Sequence, residues 1–364
     1  MNAERFIASR MRFKGNLTVI AIAVSFLVII VSLSVSGGFR NEIRASLSDT
    51  YGDVLVPSSK EIPELSSIEG VTKVSPVVFK AGIVKSGLHI RGVQFKGVAS
   101  TDSSSLQVDI PASFASSMHL EKGGRMMAYF VIGDKVKARN FTVREIFDDK
   151  VSGGPAVTLI TSIKDVQRIE GLGNEEYSAL ELQLDKSLRT RSSMKLKAAE
   201  ISLISGLYSS SLPDRFPQLF DWLDLIDVNV VAILALMIIV AGFNMISGLL
   251  IHLFRNISTI GTLKTLGMDN AGIGRIFIRT ASSVVFKGML AGNAVALLFC
   301  VVQDRTHFLK LNPDNYFLSF VPVSINVPSI LLTDAIAWLA IMLMLLIPTL
   351  FISGVDPAKT VRSL

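Results

Sequence analysis

The chain has 364 residues, 50% of them hydrophobic and only 18% charged, with a mean hydropathy of +0.51, which excludes an ordinary soluble domain. Cys300 is the single cysteine, so no intrachain disulfide can form and no cysteine-based zinc site can be completed. The formal charge of +6 raises nucleic-acid binding as a question, and the placement of the charges argues against it.

Four runs are almost free of charge: Gly15 to Phe39, Val228 to Phe254, Thr280 to Gln303 with Lys287 as its one charge, and Ala335 to Val355. Each reaches the roughly 20 apolar residues that span a bilayer, and in lipid such a run satisfies its backbone only as a helix. The expected layout is an N-terminal segment 1–16, spans at 17–39, 228–254, 280–303 and 332–355, a large domain 40–227, loops 255–279 and 304–331, and a tail 356–364. Residues 40–227 nearly cancel their own charge, with 23 Lys+Arg against 24 Asp+Glu. Arg5, Arg10, Arg12 and Lys14 precede the first span, Arg255, Lys264, Arg275 and Arg279 lie between the second and third, and Lys359 and Arg362 follow the last. The third-to-fourth connection is net negative, with Asp304, Asp314 and Asp334 against Arg305 and Lys310. The positive-inside rule then puts both termini and the 255–279 loop in the cytoplasm and the large domain outside. The basic character is a topology signal, and no nucleic-acid partner is expected. A cleaved signal peptide is the competing reading of the first span, with Ser34-Val35-Ser36 as its cleavage site, but the apolar run exceeds the roughly 7 to 15 residues of a signal core.

In the large domain, Arg40 to Leu47 continues as a polar amphipathic helix, a stalk on the first span. Val54 to Val56, Val74 to Val84, His89 to Val98, Met126 to Ile132, Phe141 to Ile146 and Leu180 to Leu184 read as strands, with Gly133-Asp134 as a hairpin turn. Ala112 to His119, Ser162 to Ile169 and Ser187 to Ile204 read as helices, the last capped by Asp185. The fold is α+β. His89 and His119 read as isolated structural histidines, and Asp148-Asp149 as a solvated turn. The chain contains no G-x-S-x-G, H-E-x-x-H or G-x-x-x-x-G-K-[ST], so neither an independent enzyme nor ATP binding by a P-loop of its own is expected.

In the 255–279 loop, Ile257, Ile260, Leu263 and Leu266 recur every three residues and give a short helix an apolar stripe. Ser258, Thr259, Thr262 and Lys264 form its polar face, and Gly267 ends it. Such a helix docks on a cytoplasmic partner or lies on the inner leaflet, and the pattern alone leaves both open. Gly242, Asn244, Ser247 and Gly248 in the second span, and the G-x-x-x-G of Gly288 and Gly292 in the third, are small-residue surfaces for close helix packing. Lys287 can snorkel to the headgroups, and no carboxylate is expected inside the spans to pair with it.

This layout resembles the MacB/FtsX-type (type VII) permeases of ABC transporters, and within them the LolC/LolE lipoprotein-releasing branch. The resemblance rests on Phe6-Ile7-Ala8-Ser9-Arg10, Gly37-Gly38-Phe39 with Glu42, and Phe216 to Leu223. It continues through Ala241-Gly242-Phe243-Asn244-Met245-Ile246-Ser247, Ile260 to Gly267, and Val355-Asp356-Pro357-Ala358-Lys359. It implies a multi-pass α-helical membrane protein of four transmembrane helices with a large MacB-like α+β periplasmic domain, in a Gram-negative inner membrane. The resemblance makes the Ile257 to Gly267 segment a coupling helix on a separate LolD-like ATPase. The chain would bind no cofactor directly, and ATP and magnesium would act through that partner. A second permease subunit, identical or LolC/LolE-like, is implied, with membrane lipids, a lipoprotein substrate and a periplasmic LolA-like carrier. Acyl chains would enter beside the first two spans, where position singles out Val24, Val28, Ile239 and Asn244. The carrier would meet the loop around Gly171, Leu172, Gly173 and Asn174, although that loop lacks an obvious apolar hook. A MacB-like efflux or FtsX-like hydrolase-activating role, and a membrane-anchored sensor or scaffold without an ATPase, are the alternatives.

Overall fold

A computed structural model describes residues 16–58, 60, 62–99, 106–147, 157–311, 318 and 320–349. The expected N-terminal segment and tail, the end of the fourth span and Asp148-Asp149 lie outside the described residues. The chain divides into two compact units, a membrane unit (Met1–Phe39, Leu225–Phe308, Val321–Leu364) and a β-rich unit (Arg40–Asp224, Leu309–Phe320).

Helix α1 (Asn16–Tyr51) is unbroken through the expected stalk. Within the β-rich unit its Ile43 and Leu47 are buried, and Gly52, at φ +64°, ends it. Then follow β1 (Val54–Val56), β2 (Val71–Ser86), β3 (His89–Val98), β4 (Gln107–Pro111), α2 (Ala112–Met118), β5 (Arg125–Ile132) and β6 (Lys135–Phe147). After these come β7 (Val157–Ser162), α3 (Ile163–Glu170), β8 (Ala179–Leu184), α4 (Arg191–Ser205), β9 (Ser210–Ser211) and α5 (Leu212–Arg215). The expected Gly133-Asp134 turn joins β5 to β6, with Ile132 paired to Lys135.

Six of these strands close on themselves. β2 pairs with β3, β3 with β7, β7 with β4, β4 with β6, β6 with β5, and β5 again with β2. Closure removes the open edges that an exposed sheet must otherwise protect. The interior holds Phe95, Phe130 and Phe141, with Phe95 centred 4.9 and 5.0 Å from the other two rings, and Phe114 of α2 and Val166 of α3 belong to the same core. β2 is long enough to serve two sheets, because its first half, Val71 to Val77, pairs with β8, which continues to β1 and β9. Strands β4, β7 and β9 were not expected from sequence. The α4 cap is also corrected: a separate turn, Lys186–Leu188, follows Asp185, and the cap is Thr190, whose Oγ1 accepts from the Ser193 N–H at 3.2 Å.

The membrane unit continues with α6 (Pro217–Arg255), α7 (Ile257–Thr265), α8 (Asn270–Thr306), α9 (Val327–Met344) and α10 (Leu346–Thr349). Among the described residues, four stretches are long and apolar enough to cross a bilayer: Asn16–Tyr51, Pro217–Arg255, Asn270–Thr306 and Val327–Pro348. Three of these helices start earlier than the apolar runs that revealed them. Asp269 caps α8 by accepting from the Gly272 N–H at 2.9 Å, and Asn326 caps α9 by accepting from the Ser329 N–H at 3.2 Å.

Asp334, which already fell within the expected span 332–355, lies well inside α9 and is 6% exposed. The expectation that the spans carry no carboxylate is therefore wrong. Helix-start chemistry at Asn326 and Pro328 extends the helix past the point where hydropathy ends it.

Candidate functional site

One apolar cluster of the membrane unit contains Ile22 and Phe26 of α1, Met245, Leu249 and Leu253 of α6, Ile260 of α7, Ile273 and Phe277 of α8, and Ile341 of α9, and a second holds Ile29, Ile30, Ala296 and Ile330. Helix α7 is thus part of the bundle as well as a link between spans. The chain turns at Asn256, whose side-chain amide donates to the His252 carbonyl at 2.7 Å, and α7 ends where Gly267 adopts φ +89°.

The structure splits the expected stripe on α7. Ile260 is fully buried and Leu263 packs on the same cluster, whereas Ile257 is half-buried and Leu266 is 78% exposed. Thr259, Thr262 and Gly267 are exposed, and Ser258 and Lys264 are half-buried. The face offered to another molecule is therefore a threonine surface with Leu266 at its end. The apolar positions behind it fix the helix to its own spans.

The small residues sit at the closest approaches. A Cβ on Gly288 would lie 2.7 Å from Ile22, and one on Gly292 would run into the Ala23 carbonyl, so the G-x-x-x-G holds α8 against α1. Gly242 faces the Met344 side chain in the same way, and Gly248 is buried. Asp334 accepts a hydrogen bond from the Asn293 Nδ2 at 2.6 Å, which ties α9 to α8. Asn293 is a polar residue that the sequence reading passed over. Its signal was a lone amide in an apolar run, a residue type that seeks a partner helix in lipid.

The expected acyl-chain positions divide. Val24 and Ile239 are exposed at 54% and 46%, while Val28 and Asn244 are half-buried. Helix α6 is the least enclosed span, with 11% of its most apolar window buried against 33% for α1 and α8. Val231, Leu236, Ile239 and Phe243 are exposed along it.

In the β-rich unit, the expected carrier loop is a turn folded on itself. Gly171 ends α3 at φ +83°, Leu172 packs on the barrel core, and the Gln167 side-chain amide donates to the Asn174 and Glu176 carbonyls at 3.2 and 2.9 Å. Gly173 and Asn174 are exposed. His89 and His119, read as isolated, are neighbours with ring centroids 5.0 Å apart; among the described residues no group of three metal-ligating side chains forms.

Comparison with known proteins fits this membrane unit. A family model described as the FtsX-like permease C-terminal domain matches residues 231–357. The chain is 22% identical to the lipoprotein-releasing system transmembrane protein LolC of Neisseria meningitidis, over 97% of this chain and 94% of that one. It is 23% identical to the corresponding LolE of Haemophilus influenzae, over 94% and 93%. Among solved structures, the periplasmic region of MacB from Actinobacillus actinomycetemcomitans matches at 12% identity and a TM-score of 0.30, covering 48% of this chain and 95% of that one. Over residues 231–357 the chain is thus similar to FtsX-like permeases, and along nearly its whole length to LolC and LolE.

Proposed function

We propose that this permease extracts lipoproteins from the outer leaflet of a Gram-negative inner membrane, driven by a separate cytoplasmic ATPase, and delivers them to a periplasmic carrier. The observation that carries the reading is similarity to both LolC and LolE along nearly the whole chain. Under it, both termini and α7 are cytoplasmic, and the β-rich unit is periplasmic. The basic residues Arg255, Lys264, Arg275 and Arg279 beside α7 support that orientation. The chain hydrolyses nothing itself; ATP and magnesium are bound by the partner.

The physical need for ATP lies in the substrate. Each acyl CH₂ brought into water costs about 0.8 kcal/mol, so a multiply acylated protein leaves the bilayer only with energy input and a covered route. The open apolar face of α6, including Ile239, suits the entry of such chains, and a second permease copy or homologue completes the route. Helix α7 meets the ATPase through Thr259, Thr262 and Leu266.

Affinity purification of the tagged chain tests this reading. The expected result is co-purification of an ATPase and acylated proteins with the wild type, and loss of the ATPase from a Thr262→Glu, Leu266→Glu double variant that still folds. Recovery of a periplasmic adaptor in place of acylated proteins would favour efflux, and a well-folded wild type without any ATPase would favour a scaffold.

A further inference from the structure

The end of α1 is held in an unusual way. A helix leaves its last carbonyls without intrahelical partners and carries partial negative charge there. Here two cations from distant parts of the chain, one buried and one half-buried, take carbonyls of this turn. Lys96 of β3, 3% exposed, donates from Nζ to the Thr50 carbonyl at 2.5 Å. Arg215, the last residue of α5, donates from Nη2 to the Tyr51 and Gly52 carbonyls at 2.7 and 2.6 Å.

The charges are balanced locally. Glu181 of β8, 6% exposed, accepts from the same Lys96 Nζ at 2.5 Å. One residue beyond Gly52, the fully buried Asp53 accepts from the Leu184 N–H at 2.7 Å and from Arg189 Nε at 3.2 Å. Burial pushes the Lys96 and Arg215 pKa values down, with Glu181 opposing the shift at both. Such desolvation makes buried ions poor stabilisers, and their best-attested use is to fix one register. Gly52, in the left-handed region, donates its N–H to the Ser48 carbonyl at 2.8 Å, and the Thr50 and Tyr51 carbonyls go to the two cations.

We infer that Lys96 and Arg215 are positioning residues that lock the last turn of α1 to β3, β8 and α5, so that a displacement of α1 moves this unit instead of fraying the helix end. The inference rests on the transport reading above, in which α1 runs unbroken from the first span to this joint. It assigns the two residues a role in coupling, separate from binding substrate or ATPase.

The test uses the native complex purified through the tagged full chain and reconstituted in proteoliposomes, comparing Lys96→Met, Arg215→Met, Arg215→Lys and a Lys96→Met, Glu181→Leu double variant. ATP hydrolysis, transfer of a fluorescent lipoprotein to a soluble carrier, and amide exchange are read together. The expected result is a fall in lipoprotein released per ATP of tenfold or so in the Met variants, a factor corresponding to about 1.4 kcal/mol of lost coupling. ATPase activity should stay within about twofold of wild type, a change below 0.5 kcal/mol. In Arg215→Met and in the Lys96→Met, Glu181→Leu variant, which strands no buried carboxylate, exchange should rise at residues 46–52 only, whereas Lys96→Met alone also loosens the strands around the stranded Glu181. Arg215→Lys should recover most of the transfer. Wild-type transfer per ATP in Arg215→Met and the double variant would overturn the clamp. So would loss of exchange protection across the β2–β7 barrel in those two variants, which would make the residues merely structural. No transfer by the wild-type complex would instead overturn the transport reading, leaving the clamp to be judged on exchange at 46–52.

Discussion

At the residue scale, the buried ions of the β-rich unit govern what substitutions cost. Removing one partner strands the other, so Glu181→Gln, which leaves Lys96 without its counter-charge, should destabilise this unit by about 3–5 kcal/mol. Replacing both, as Lys96→Met with Glu181→Leu, should cost far less, and chemical denaturation of the two variants measures the difference. Asp214 gives a pH prediction. Partial burial alone would raise its pKa, but hydrogen bonds from Ser211 Oγ at 2.6 Å and Lys195 Nζ at 3.2 Å hold it below 3.8. A carboxylate with a lowered folded pKa adds stability that is complete above the unfolded value and is lost as pH falls through the folded one. The difference in thermal midpoint between wild type and Asp214→Asn should therefore be full at neutral pH and close as the pH drops below 3.8.

At the element scale, α7 has one face packed in the bundle and one exposed face, to which the proposed function assigns the partner. Ile260→Glu should unfold the bundle, since it drives a charge into a fully buried position, whereas Thr262→Glu should leave the fold intact and act only on partner binding. Size-exclusion behaviour in detergent separates the two outcomes. Gly292→Leu should push α8 away from the α1 backbone and cost about 1–3 kcal/mol, as overpacking does, and a cysteine pair across α1 and α8 should cross-link less efficiently in that variant. Asp334→Leu should be milder than this, because hydrogen bonds between membrane helices average about 0.6 kcal/mol.

The same scale explains what the sequence could show. Hydropathy found each of the four candidate spans among the described residues, because about 20 consecutive apolar residues have few other uses. It missed where α8 and α9 begin, since Asp269 and Asn326 start those helices by capping and not by hydrophobicity. The threefold stripe on α7 was legible, but not that Ile260 and Leu263 would be used internally, because periodicity cannot say which partner an apolar face meets. Strand β4 is five residues flanked by polar sequence, and its parallel pairing with β6 is non-local, so nothing in its own residues announces it. The proximity of His89 and His119 depends on the β2–β3 turn meeting the end of α2, which is again tertiary information.

At the scale of the whole molecule, the proposed function assigns a bundle with an exposed second span, a helix between two spans, and a β-rich unit that shares α1 with the bundle to the movement of lipoproteins at the bilayer surface. The similarity to LolC and LolE proposes what is moved. The most direct test is depletion of this chain in its own cells, followed by density separation of inner and outer membranes and quantitative mass spectrometry of acylated proteins. The account predicts that outer-membrane lipoproteins accumulate in the inner-membrane fraction soon after depletion and that wild-type expression reverses this. An unchanged lipoprotein distribution, with the chain demonstrably absent, would contradict it.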